Sequence, residues 1–94
     1  MFLGMYRFDG DPEALVEAYD RLVASIPAGM IELQLCVKTD RGISVYDTCP
    51  SRAVFDDFST SDGFAGAVNA AGLPVPTTVE PLGEVHWFTA PADA

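Results

Sequence analysis

The sequence predicts one α+β domain whose elements follow the order strand, helix, strand, strand, helix, strand. Three observations predict it. Four short runs are either apolar throughout or alternate between apolar and polar residues, as is typical of strands. Two amphipathic stretches, with apolar residues at helical spacing, lie between them. No linker or low-complexity run divides residues 1–94, and this length suits one modest core.

The first two elements are predicted from residues 2–8 and from the stretch that follows Asp11. Both alternating rows of residues 2–8 are largely apolar, as in a strand that is covered on both faces. Asp11 before Pro12 is a typical helix start, and Pro27 and Gly29 are expected to end the helix. Its apolar stripe consists of Leu15, Val16, Tyr19, Leu22, Val23 and Ile26.

A hairpin is predicted next, because two runs with strand periodicity flank a turn at residues 39–42. The first strand has a clean apolar row, Ile31, Leu33, Leu35 and Val37, and a polar row, Glu32, Gln34, Cys36 and Lys38. We expect the apolar row to face the core. The returning strand covers residues 43–49.

Cys36 and Cys49 are the only cysteines, and their spacing matches no metal site. Their relative orientation depends on the turn. A three-residue turn that pairs Thr39 with Ile43 places the cysteines on opposite faces, whereas a two-residue turn places them on the same face. Free thiols are expected.

The second helical region begins after Pro50, where Ser51 is placed to cap a helix. Residues 59–62 interrupt it, and Asp62 is predicted to cap a second segment that Gly72 ends. The apolar positions of the two segments are Val54, Phe55, Phe58, Phe64, Ala65, Val68 and Ala71.

The last strand is predicted over residues 79–89, with Pro81 and Gly83 indicating an edge position or a bulge. Residues 90–94 read as a short frayed tail. The complete order of elements is that of the ferredoxin-like βαββαβ pattern, in which two helices cover one face of a four-stranded antiparallel sheet and the first and third strands are central. Its other face would be open and partly apolar, so we expect a homodimer that pairs two such faces.

Charge excludes several classes of partner. Fourteen carboxylates against five scattered Lys and Arg residues leave a net charge of −9, whereas nucleic acid and anionic membranes require clustered basic residues. No stretch approaches the ~20 apolar residues of a membrane span. The N-terminal residues lack a basic leader, so a cytoplasmic location is expected.

One stretch carries a family resemblance, through residues that follow the hairpin at fixed spacing. They are Ser51, Arg52, Phe55, Asp57, Phe58, Ser61, Asp62 and Phe64. This segment resembles the strand-to-helix corner of the dimeric α+β barrel superfamily, and within it the antibiotic-biosynthesis-monooxygenase branch.

The haem-degrading relatives in this branch carry three characteristic residues that are absent here. Aligning on the motif puts Phe58 at their tryptophan position and Val68 at their iron-ligating histidine, and residues 1–10 contain no asparagine. His86 lies on the last predicted strand and does not replace that ligand. We therefore expect no haem, metal or other cofactor.

The remaining chemistry that the resemblance implies is that of cofactor-independent oxygenases, which act on electron-rich phenols between sheet and helices. Such an enzyme needs a base and a water-poor chamber. The candidate catalytic groups are Tyr6, Tyr46, Asp47 and His86, with Asp47 or Glu84 able to orient the imidazole.

Each candidate also has a structural interpretation. The tyrosines are ordinary strand residues, His86 suits an interface, and Asp47 could pair with Arg7 on the neighbouring strand. The sequence thus predicts a homodimeric domain that binds a small apolar or aromatic molecule. It leaves open a cofactor-independent monooxygenase-like enzyme, or a non-catalytic binding, regulatory or structural dimer.

Overall fold

The computed structural model describes residues 1–27 and 33–89. They form four strands and three helices: β1 Phe2–Asp9, α1 Pro12–Ala24, β2 Gln34–Thr39, β3 Gly42–Cys49, α2 Arg52–Ser59, α3 Asp62–Ala71 and β4 Thr78–Glu84. Gly29, the predicted strand residues Ile31 and Glu32, and the tail at 90–94 lie outside these ranges. No helix in the described part is long and apolar enough to cross a membrane.

The four strands form one antiparallel sheet in the order β2-β3-β1-β4, with β1 and β3 in the centre. This is an α+β arrangement compatible with the ferredoxin-like pattern. The core lies between the sheet and the helices, where one row of β1, Phe2, Tyr6 and Phe8, packs with Ile43 and Val45 of β3 and with apolar residues of all three helices.

Side-chain caps define the helix starts. The Asp11 carboxylate accepts the Ala14 N–H, and the Ser51 hydroxyl accepts the Val54 N–H. The cap predicted at Asp62 is wrong by one residue, because the Ser61 hydroxyl accepts the N–H of the third helical residue. The predicted second helix is therefore two separately capped helices.

The prediction for the two faces of β2 is reversed in the structure. Thr39 pairs with Gly42 across a two-residue turn, so Cys36 pairs with Val45 and shares its core face. Leu35 and Val37 consequently lie on the open face, where 54% and 44% of their surface is exposed. The reason is the period of two: once Val45 is buried, pairing in this register turns the polar row of β2 inward.

The same turn decides the orientation of the cysteines. Cys49 pairs with Phe2 and Cys36 with Val45, which places both side chains on the helix-covered face. The two-residue alternative therefore describes the hairpin, and both cysteines are free thiols. At Gly42 the backbone has φ 152°, and a Cβ there would meet the Phe8 carbonyl oxygen.

Strand β4 is shorter than predicted. It ends at Glu84, and the Val85 N–H still donates to the Met1 carbonyl. In the described part of the chain, residues 86–89 pair with no strand. A shift of register between Leu3 and Gly4 in the β1–β4 pairing confirms the predicted irregularity near Pro81.

Gly4 sets the distance between the sheet and α2. A Cβ built at Gly4 would lie 2.0 Å from the Phe55 ring, so only glycine allows this ring to rest on the backbone of β1. Phe55 is 2% exposed and packs against both Phe2 and Tyr6, with ring centroids 6.0 and 5.7 Å away.

Candidate functional site

A cavity of about 370 Å³ lies between the sheet and the helices. Its size is within the range of small-molecule sites in proteins. Residues from β1, β3, all three helices and the segment after α1 line it, and its walls are mostly apolar. The main apolar wall residues are Leu22, Ile26, Val54, Phe55, Phe58 and Phe64.

Asp47 places a carboxyl group in this apolar cavity. It lies on β3 between Gly4 of β1 and Gln34 of β2, and is 8% exposed. Among residues 1–27 and 33–89, its carboxylate has neither an ion-pair partner nor a hydrogen-bond donor. Because burial disfavours the charged form, the pKa of Asp47 is raised from its ordinary 3.8 to about 6.

Tyr6 contributes a second unpartnered polar group. Its side chain is 3% exposed, and its hydroxyl is buried without a hydrogen-bond partner in the described part of the chain. Tyr6 pairs with Val45, so it is a diagonal neighbour of Asp47 on the same face, at about 7–8 Å between backbones. Burial first, and then the charges of Asp47 and Cys49, raise the pKa of Tyr6 well above its ordinary value, which keeps the phenol protonated.

Several polar residues of the cavity wall, including Tyr19 and Gln34, were not among the candidates predicted from sequence. Tyr19 belongs to the apolar stripe of α1, and burial together with Cys36 and Asp47 raises its pKa to about 12. Gln34 lies directly opposite Asp47 on β2, and it was missed because its row was assigned to the solvent. The alternation of β2 shows that Gln34 shares a row with Cys36, but it does not show which face of the sheet this row occupies.

The four predicted site residues do not converge. Tyr6 and Asp47 line the same cavity. Tyr46 pairs with Met5 on the opposite face of the sheet, and His86 is exposed beyond the end of β4. The suggested pair between Asp47 and Arg7 does not form either, because Arg7 pairs with Ser44 and projects from the opposite face.

The cavity carries negative but no positive charge. Its lining contains one carboxylate, Asp47, and no Lys, Arg or His within the described residues. The same part of the chain holds no cluster of three or more His, Cys, Asp or Glu with metal-binding geometry. At the positions compared above with the haem-degrading relatives, Phe58 is a wall residue and Val68 is a core residue 4% exposed.

Comparison of the chain with protein-family models, with curated proteins and with solved structures gives no match.

Proposed function

We propose that this domain binds a small, largely apolar or aromatic molecule in the cavity between the sheet and the helices. One observation carries the proposal: the Asp47 carboxylate, which has no partner among the described residues, is buried in an aromatic-lined cavity. Leaving such a group without a partner costs free energy of folding, and a strongly perturbed acid in a cleft is characteristic of functional sites. A ligand with a hydrogen-bond donor would supply the missing partner.

The binding proposal can be tested by NMR titration of the labelled domain with 2-naphthalenemethanol. We expect saturable shifts in the amide signals of cavity residues such as Tyr6 and Phe64. Ala67→Leu should abolish them, because Ala67 lines the cavity and the larger side chain fills it. Ala65→Leu, on the exposed side of the same helix, is the matched control. Equal binding to both variants would place the ligand elsewhere.

A cofactor-independent monooxygenase is a second candidate, and the raised pKa of Asp47 is the observation that favours it. A carboxylate with a pKa near 6 is matched to proton abstraction near neutral pH. In this reaction Asp47 would take a proton from the methylene carbon of an anthrone-type substrate. The carbanion would then reduce dioxygen, and loss of water from the hydroperoxide would leave a ketone, so that one O₂ yields the ketone and one H₂O.

The enzymatic candidate ranks below binding because no cationic side chain in the described lining would stabilise the substrate anion. Oxygen uptake with 1,8-dihydroxyanthrone separates the two. If the domain is an enzyme, it consumes oxygen faster than the uncatalysed reaction. Asp47→Asn should then abolish this excess uptake, whereas Asp57→Asn, which changes an exposed residue of α2, should retain it. Uptake at the uncatalysed rate alone would leave a non-catalytic binding or regulatory domain.

We also propose that two copies pair through their open sheet faces to form a barrel, as in the dimeric α+β barrel superfamily. Leu35 and Val37 support this, because both are apolar, exposed and adjacent to the half-buried Tyr46. Sedimentation at micromolar concentration should show a species of twice the 10.0 kDa chain mass. Leu35→Asp should dissociate it, whereas Val75→Asp, 84% exposed outside the sheet, should not. A wild-type monomer would refute the pairing.

The cytoplasmic location remains part of this proposal and is supported by the two free thiols, which a reducing compartment maintains.

A further inference from the structure

The charge of the cavity wall selects among ligands. Asp47 is the only acidic side chain in the described lining, and no basic side chain accompanies it. Tyr6, Tyr19 and Cys49 are neutral near pH 7, because the ordinary pKa values of phenols and thiols lie above 7 and burial raises the pKa of each further. An anionic ligand would therefore meet repulsion from Asp47, and a purely apolar one would leave the carboxylate unpaired. A cation would form a charge-assisted hydrogen bond with it.

The aromatic rings of the wall favour the same class of ligand. These rings are tilted rather than stacked: the centroid of Tyr6 is 5.1 Å from that of Phe64, which is 5.0 Å from that of Phe58. Aromatic faces attract ammonium groups most strongly where water is excluded.

We propose that the ligand is an organic cation, a primary or secondary ammonium on an apolar or aromatic body. The ammonium group donates to the Asp47 carboxylate, and the body lies among Phe55, Phe58 and Phe64. This inference rests on the proposed binding function, since it specifies the polar end of the molecule that the cavity takes.

Three probes with one naphthalene body test the charge alone: 2-(aminomethyl)naphthalene, 2-naphthalenemethanol and 2-naphthoic acid. Calorimetry at pH 7.5 should give roughly ten- to hundred-fold tighter binding of the amine than of the alcohol, the range expected for a charged partner. The acid should bind most weakly. The alcohol serves as the neutral reference for shape and burial.

Asp47→Asn should reduce the amine affinity by a similar factor and the alcohol affinity far less, because the asparagine carbonyl oxygen still accepts the hydroxyl of the alcohol. Retained binding of the alcohol also shows that the variant is folded. Asp57→Asn removes one exposed charge and controls for attraction by the net charge of −9.

The outcomes separate the two proposals. If amine and alcohol bind equally, the organic-cation inference is wrong and the binding function stands. If Asp57→Asn weakens the amine as much as Asp47→Asn does, the preference comes from overall charge and the inference is again wrong. If none of the three probes binds, the proposed function itself fails.

Discussion

Replacing Asp47 by asparagine should change how the stability of the domain depends on pH. The pKa of the carboxyl group rises from 3.8 to about 6 on folding because the group is buried. Between these values the native state binds more protons than the unfolded chain. The unfolding free energy of the wild type therefore falls as pH rises through this window and levels off above it.

The size of this effect follows from the two pKa values. Their difference corresponds to about 3 kcal/mol in total, and roughly 1–2 kcal/mol of it falls between pH 5 and pH 8. The upper part of the window is the useful one, since the isoelectric point near 4.1 favours precipitation at lower pH.

Urea unfolding at pH 5, 6, 7 and 8 measures the prediction. The unfolding free energy of Asp47→Asn minus that of the wild type should increase by roughly 1–2 kcal/mol across this range. Asp57→Asn, which removes an exposed carboxylate, should follow the wild type in parallel.

A constant difference between Asp47→Asn and the wild type would refute the reasoning. It would mean that the Asp47 carboxylate is either solvated or paired in the native state. The asparagine amide does not titrate, so its effect on the unfolding free energy is the same at every pH. It therefore cancels when the difference between variant and wild type at one pH is compared with that at another.

Three further substitutions test individual contacts. Gly4→Ala should lower the unfolding free energy by about 1–3 kcal/mol, because the new methyl overlaps the Phe55 ring, and Phe55→Leu in the same chain should recover part of the loss in urea unfolding. Ser61→Ala should cost about 1 kcal/mol by removing the cap of α3; a loss no larger than that of Ser59→Ala, inside α2, would contradict this. Tyr6→Phe should leave thermal stability unchanged or raise it by about 1 kcal/mol, since the buried hydroxyl has no partner in the described chain, and a marked drop in melting temperature would show a partner.

The order and type of the elements could be predicted because they depend on local signals. The helix start at Ser51 and the interruption at residues 59–62 are determined by nearby capping and turn residues. The rows of β1 and β3 follow from the period of two, which puts Asp47 in the same row as Val45. A carboxylate in a largely apolar row costs free energy if it is buried and unpaired, and this makes Asp47 a candidate.

The candidate site could be predicted only in part because it depends on long-range pairing. Which face of β2 is inward follows from the two-residue turn and from the burial of Val45, and neither is visible in the alternation of β2 itself. Gln34 therefore escaped prediction, and His86 was placed on a strand that ends before it.

The sequence by itself determined the order of the elements, two of the three helix N-caps and the alternation of each strand, because these depend on neighbouring residues. Only the tertiary structure decided that Leu35 and Val37 are exposed, that Tyr6 and Asp47 share a cavity, and that both lie among the aromatic rings of α2 and α3. The physical reason is that register and helix placement are set by packing between distant segments. Gly4 illustrates it: a residue without a side chain positions the Phe55 ring beside the buried acid.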